Sequence, residues 1–359
     1  MREDVKRETA INKILRMVAP GTMLREGIEN ILAAKTGGLI VVGATDLVLT
    51  LIDGGFPIQC DLTPSHLYEL AKMDGAIVIS EDAKRVLYAN TNLNPDHTIP
   101  TSETGTRHRT AERMAKQTGQ LVVCISQRRN VITLYQGNFR YSLKDIGVIL
   151  TKANQAMQTL EKYKSVLDQA LTNLSALEFE ELVTLQEVLL VLQRVEMVLR
   201  IKSEIKRYIT ELGTEGRLIS MQLDELVSRV DEEAYLLVKD YATMGTEDTP
   251  HHILMRIHDL SSEELLDGHI LAHILGYPNI VTPSDEPVSS KGYRILNKIT
   301  RLPQPIIENL VEHFSSLNNV LVATTDDLDA VEGVGTVRAR MIRDGLKWIQ
   351  EQVFIDRHI

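Results

Sequence analysis

The chain has 359 residues, of which 43% are hydrophobic and 25% charged, and a formal net charge of −10. That is length enough for two or three domains and an ordinary globular composition, and no apolar run approaches the roughly eighteen residues of a membrane span. The charged stretch after Met1, REDVKRETAINK, gives no expectation of a secretory leader, and Cys60 and Cys124, far apart and without a partner motif, exclude a Cys-based zinc site and fit a reducing cytosol.

The charge is uneven. Residues 1–150 hold 18 Lys+Arg and 16 Asp+Glu, residues 151–288 hold 12 and 24, and residues 289–359 hold 9 of each. A polyanionic partner is therefore expected at one end of the chain, not in its acidic middle.

Residues 1–147 contain short β-like runs, GGLIVVGA, AIVIS, RVLYAN, QLVVCIS and VITLY, mixed with helical patterns such as PSHLYELAKM and TRHRTAERMAKQTG. This alternation predicts an α/β domain with a central sheet. SQRRNVITLY reads as a hairpin turning at Arg129-Asn130, which makes the sheet mixed and assigns Arg128-Arg129 to turn chemistry. Ala76-Ile77-Val78-Ile79 reads as a buried strand, with Asp74-Gly75 at its mouth.

Residues 148–212 contain no Gly and no Pro. Ala153, Met157, Leu160, Leu167, Leu171 and Leu174 recur at the helical period, so a long helical spine is expected. Ser175 to Glu178, SALE, fits a capping box, placing a helix end near Asn173 and a new start after Ser175. GTEGR at 213–217 ends the second helix, and LISMQLDELVSRVDEEAYLLVKDYA continues the bundle. YPNIVTPSDEPVSSKG then reads as a mobile link closing a domain of residues 148–290. His251, His252 and His258 could suggest a metal, but no Cys or carboxylate spacing supports one, and they are given no ligand role.

Residues 291–359 form a small all-α tail. In LDAVEGVGTVRARMI, Leu328 and Val331 end a short helix, Gly333-Val334-Gly335 makes a tight turn, and Thr336 caps a helix carrying Arg338, Arg340 and Arg343. Close backbone approach at two glycines, free N–H groups and nearby arginines suit a nucleic-acid phosphate. This resembles a helix-hairpin-helix element, and LNKITRLPQPIIENLVEHF resembles a degenerate first copy. The zero net charge of the tail implies modest, salt-sensitive binding.

In TSETGTRHRTAERMAKQTG, Thr106-Arg107-His108-Arg109-Thr110 opens a helix with cations where the helix dipole favours anions. A bound polyphosphate resolves that conflict, because N–H groups, hydroxyls and guanidinium forks all serve it. Glu103 and Glu112 flank the cluster as surface residues or as partners of its arginines. Asp74 at a strand mouth suits a carboxylate that holds Mg²⁺ or Mn²⁺ for phosphoryl chemistry, with Gly75 permitting close approach. No Walker A loop and no G-x-G-x-x-G is present.

DGA at 74–76 and RHR at 107–109 are similar to the signature pair of diadenylate cyclase domains. The order of cyclase, helical spine and helix-hairpin-helix, together with VAPGTMLREGIENIL, TGGLIVVG, DGGF, LYELAKMDGAI and LGYP, resembles the bacterial DNA-integrity-scanning branch of that family along the whole chain. The resemblance implies condensation of two ATP into cyclic di-AMP and two pyrophosphates. It implies a metal on Asp74, triphosphate contacts from Arg107, His108 and Arg109, and nucleotide contacts from Gly75, Ala76, Leu93, Thr106 and Thr110. It further implies DNA contacts by Gly333, Val334, Gly335, Thr336, Arg338 and Arg340, with branched junctions as the DNA, an octamer of face-to-face cyclase dimers, and a cytoplasmic location on the nucleoid. The alternative is a structure-specific DNA-binding scaffold whose N-terminal domain senses nucleotide without turnover. A purely structural helical oligomer leaves both motifs unexplained.

Overall fold

The computed structural model describes residues 11–243, 249–278, 280 and 282–357. The chain divides into two compact units, Met1–Asn154 with Lys206–Ser220, and Gln155–Ile205 with Met221–Ile359. The charged start of the chain, up to residue 10, lies outside the described residues.

After a helical run at 11–17, the first unit contains α1 (Met23–Ala33), β1 (Gly38–Val42), α2 (Asp46–Thr50), β2 (Ile52–Asp53), β3 (Phe56–Asp61), α3 (Pro64–Leu70), β4 (Ala76–Ile79), β5 (Arg85–Leu93), α4 (Thr106–Thr118), β6 (Leu121–Ser126), β7 (Val131–Gln136) and β8 (Phe139–Ser142). The sheet runs β2-β5-β4-β1-β6-β7-β8, with β3 on β5. It is mixed: β1 and β4 are parallel, with Ile40 beside Ile77, whereas β6 and β7 form the antiparallel hairpin around Asn130.

Both faces of the central strands are covered, which explains their unbroken apolar runs. Ile40, Val42, Ile77, Ile79, Val123 and Ile125 pack with Leu24, Ile28, Ile31 and Leu67 of α1 and α3. Leu39, Val41, Ala76, Val78, Val122 and Cys124 pack with Ala111, Met114 and Ala115 of α4. Cys124 is buried and its thiol is pushed up to about 12 by that burial, so it is a core residue.

The spine helices are α5 (Ile146–Glu180) and α6 (Leu185–Leu212), followed by a 3₁₀ turn at Gly213–Gly216, α7 (Arg217–Leu226) and α8 (Val230–Tyr241). The expected break near Asn173 does not occur. Ser175 Oγ donates back to the Leu171 carbonyl at 2.9 Å, and the helix continues to Glu180. The pair that mimics a capping box serves a distant partner instead. Arg294, fully buried, donates to Ser175 Oγ at 3.1 Å and to the buried Glu178 carboxylate.

Next come α9 (Pro250–His258), α10 (Ser262–Leu266), α11 (Gly268–Ile274), α12 (Tyr293–Asn297), α13 (Gln304–Phe314), α14 (Leu317–Val322), α15 (Thr325–Asp329) and α16 (Thr336–Arg357). Among its described residues the link is not loose, contrary to its Pro- and Ser-rich composition. Pro287 bridges Thr184, and Val288 N–H donates to the Val183 carbonyl at 3.1 Å. Asn279 and Val281 of that stretch lie outside the described residues. The tail shares a core with the end of α5, where Ala176 and Phe179 cluster with Ile295, Leu310 and Ile342.

The tail repeats itself. The bounds of α12 and the start of α13 recur in α15 and α16 displaced by 32 residues. Turn hydrogen bonds recur with them. Leu302 to Ile299 matches Val334 to Val331, and Ile307 to Pro303 matches Ala339 to Gly335. Arg301, at φ 64°, occupies the left-handed position that Gly333, at φ 79°, fills in the second copy. Among the described residues no helix is long and apolar enough to cross a membrane.

Candidate functional site

A cleft of about 480 Å³ opens at the ends of β1, β2, β4 and β5 and at the start of α4. Leu39, Asp53, Asp74, Gly75, Ala76, Thr91, Asn92, Leu93, Asn94, Thr106, Arg107 and Thr110 line it. The two motifs, about thirty residues apart in sequence, thus meet at one opening.

Local structure explains the placement. Pairing of β2 with β5 sets Asp53 opposite Asn92. Thr91 Oγ1 donates to the Ala76 carbonyl at 3.2 Å, and Gly75 N–H donates to Asn90 Oδ1 at 3.2 Å. Asn90 adopts a left-handed φ of 56° within a bulge of β5. Gly75 is therefore required by the protein itself: a Cβ there would lie 2.4 Å from the Asn90 carbonyl carbon. Gly75 also lines the cleft, so this packing demand stands beside the close approach to a ligand expected of it. Asp74 stands exposed at the strand mouth.

Helix α4 presents an uncapped N-terminus. Gly105 is its N-cap and offers no side-chain acceptor, and its first turn holds no acid. Its free N–H groups and the partial positive charge of the dipole face the same place as Arg107. Gly37, at φ 75°, gives that arginine its room, since a Cβ there would lie 2.6 Å from an Arg107 guanidinium nitrogen.

A second cleft, of about 570 Å³, adjoins the first through Thr106 and Arg107 and is also lined by Thr104, Gly105, His108, Ile125, Ser126, Gln127, Arg128 and Arg129. Arg128 and Arg129 are more than turn residues, because the β6–β7 turn carries them beside Arg107. The first cleft carries carboxylates and the second carries arginines and no carboxylate. His108 lines only the second, and Arg109, exposed on α4, lines neither.

Glu103 and Glu112 are not surface residues and do not pair with the arginines of the motif. Glu112 is 8% exposed; it pairs with Lys116 at 2.8 Å and accepts from Thr101 and Ser102. Glu103 accepts from Tyr135 Oη at 2.9 Å and from Arg140 Nε at 2.6 Å. Burial alone would raise the Glu103 pKa, but these two donors outweigh it and hold the carboxyl below its ordinary value. Sequence reading missed Asp53, Thr91, Asn92 and Asn94. The DGGF turn and the polar run NTNLN were the available signals.

In the tail, Gly335, Thr336 and Arg338 line a cleft of about 450 Å³ with Arg301, Val337 and Met341. The two repeated turns therefore share one surface. Val334 is 4% exposed and belongs to the core, and Arg338 donates back to the Gly333 carbonyl. Thr336 is the first residue of α16, not its cap. Arg340 lines a neighbouring groove with Lys298, Thr300 and Trp348. His258 accompanies Glu196 at 3.0 Å, and among the described residues no group of three or more ligand-type side chains could hold a metal.

Residues 25–139 match the family model described as the nucleotide-binding region of the DisA bacterial checkpoint controller, and residues 143–282 match that of its linker region. The chain is 60% identical to the DNA integrity scanning protein DisA of Carboxydothermus hydrogenoformans, over 94% of this chain and 96% of that one. It is 60% identical to the protein of the same name from Bacillus pumilus, over 98% of each chain. For Bacillus subtilis (strain 168) the identity is 57%, over 100% of this chain and 99% of the relative.

Proposed function

We propose, from the premise that the chain belongs to the DisA family of DNA integrity scanning proteins, that its N-terminal unit condenses two ATP molecules into cyclic di-AMP and two pyrophosphates. The observation that carries this reading is the single cleft gathering Asp74, Gly75 and Ala76 with Thr106, Arg107 and Thr110.

The two adjoining clefts divide the work. The nucleoside lies in the first, against Ala76 and Leu93, with Asn92 and Asn94 available to its polar edges. The phosphates cross the α4 N-terminus, where free N–H groups and the Thr106 and Thr110 hydroxyls donate to them. Pyrophosphate leaves into the second cleft among Arg107, Arg128 and Arg129, which take up the charge that develops on it. Arg109, exposed on α4, lines neither cleft, and its phosphate contact is assigned to a second copy of the chain.

Mg²⁺ or Mn²⁺ fits the donors present. Asp53 and Asp74 are hard oxygen ligands in one cleft, a set such ions use while keeping water and substrate phosphate as further ligands. When bound, the ion would neutralise phosphate charge and make the 3′-hydroxyl a better nucleophile.

Each chain brings its own copy of these two clefts, and each adenylate in the product is both nucleophile and electrophile. Two copies facing each other across a two-fold axis satisfy both demands, which makes a face-to-face dimer the smallest active unit and permits a larger assembly such as an octamer. The repeated tail turns, with Arg301, Gly335, Thr336 and Arg338 on one surface, support a paired helix-hairpin-helix that grips DNA phosphates. Branched DNA held there would modulate synthesis, placing the protein in the cytoplasm on the nucleoid.

The test is mass spectrometry of products after incubation with ATP and Mg²⁺ or Mn²⁺, beside the Asp74→Asn variant, followed by titration with branched DNA. Cyclic di-AMP from the parent alone is expected. No product with either metal, from a chain that binds ATP, would overturn synthesis and leave a DNA-binding nucleotide sensor.

A further inference from the structure

The clearest unspent chemistry lies behind His108. Its Nδ1 is 3.0 Å from Tyr135 Oη, and that hydroxyl is 2.9 Å from Glu103 Oε1, which also accepts from Arg140 Nε at 2.6 Å. Tyr135 is 1% exposed and meets the imidazole edge to face. Its phenol has one proton. Glu103, held ionised by its donors, can only accept, so that proton belongs to the carboxylate. The phenol oxygen must then accept from His108, which places the ring proton on Nδ1. Nε2 is left buried, without a hydrogen-bond partner among the described residues, in a side chain that lines the arginine cleft.

We infer that Tyr135, anchored by Glu103 and Arg140, is a positioning residue for His108: it fixes the ring and its tautomer so that Nε2 takes up a proton from solvent when a phosphate docks, keeps it, and donates a hydrogen bond through it to that phosphate. The surroundings of His108 favour the neutral ring until a phosphate adds its charge. Burial lowers its pKa; Arg129, Arg140 and Arg107 lower it further, and Glu103 opposes them. These groups face the ring from the β6–β7 turn, β8, α4 itself and the segment before α4. An arriving phosphate adds negative charge beside Nε2, and the Glu103 carboxylate balances the resulting imidazolium through the phenol. The relay is the arrangement by which a carboxylate two hydrogen bonds away orients and supports a histidine.

The inference rests on reading this cleft as the polyphosphate site. Its test is calorimetric binding of non-cleavable α,β-methylene ATP to the full chain, as parent, Tyr135→Phe, His108→Gln and the double variant, across a pH series. Tyr135→Phe should weaken binding about tenfold, the worth of one hydrogen bond at a charged group. The double variant should bind no more weakly than His108→Gln alone. The fall in affinity with rising pH should move to lower pH in Tyr135→Phe, because the imidazolium loses its acceptor. Glu103→Gln should move it the same way and serves if Tyr135→Phe does not fold. Losses that multiply in the double variant, or an unmoved pH dependence in Glu103→Gln, would overturn the relay. A parent that binds the analogue but makes no cyclic di-AMP overturns the cyclase reading and leaves the relay standing; a parent that does not bind it overturns both.

Discussion

Replacing Gly75 by alanine separates what the fold demands from what the ligand demands. An ideal Cβ would lie 2.4 Å from the carbonyl carbon of Asn90, 2.6 Å from its Cα and 2.8 Å from its carbonyl oxygen. Neither side can give way cheaply. β4 is buried along all four residues, and Asn90 is fixed by its left-handed backbone and by the hydrogen bond its side chain accepts from Gly75. Relief needs a backbone shift of about 1 Å, a displacement in the range where overpacking costs about 1–3 kcal/mol. For a unit of this size that lowers the melting temperature by roughly 3–10 °C. Calorimetric unfolding of the ligand-free chain reads this directly, alongside ATP binding. The bulge moves with the mouth of β4, so binding should weaken in the same variant. A melting temperature unchanged within about 1 °C, with binding lost, would refute the steric argument and return Gly75 to the ligand.

Two further outcomes are expected. Arg294→Ala leaves Glu178 buried without its guanidinium partner and should cost about 3–5 kcal/mol in guanidinium unfolding of the full chain; a loss under about 1 kcal/mol would show that Tyr241, which also donates to Glu178, suffices. A Cβ at Gly335 would meet no atom within 4 Å, and Gly335→Glu puts an acid at the start of α16, so folding stability should hold or rise. The same charge would face a DNA phosphate, and binding of a branched duplex should fall at least about tenfold in a salt-dependent mobility assay; unchanged affinity would remove this turn from the DNA interface.

The sheet was legible because burial on both faces writes itself as unbroken apolar runs. The hairpin was legible because Arg129-Asn130 interrupts two of them. The cleft was half legible. DGA and RHR announced themselves as charges in structurally awkward places, at a strand mouth and in the first turn of a helix. Asp53, Asn92 and Asn94 did not, because polar residues at strand ends look like ordinary turns until the pairing of β2 with β5 gathers them. Gly75 was legible as a wanted glycine, but a sequence does not show that the Asn90 backbone is what a side chain there would meet. Ser175 and Glu178 were misread because a capping box is a local rule, whereas their partner Arg294 lies more than a hundred residues away. Polar groups that the core must satisfy imitate signals at short range.

The same point separates the motif residues from one another. RHR reads as one basic cluster, but consecutive helical positions diverge by about 100° around the axis, so the three side chains leave α4 in different directions. Arg107 reaches the boundary of both clefts, His108 turns inward onto Tyr135, and Arg109 faces outward. If the proposed two-fold product is made between two facing copies, an outward guanidinium beside the cleft would be placed to act on the second copy. On the proposed reaction, Arg109→Ala should therefore leave binding of one nucleotide to the isolated cleft nearly unchanged while lowering the rate of ring closure. Equal loss of both would place Arg109 on its own chain's nucleotide instead.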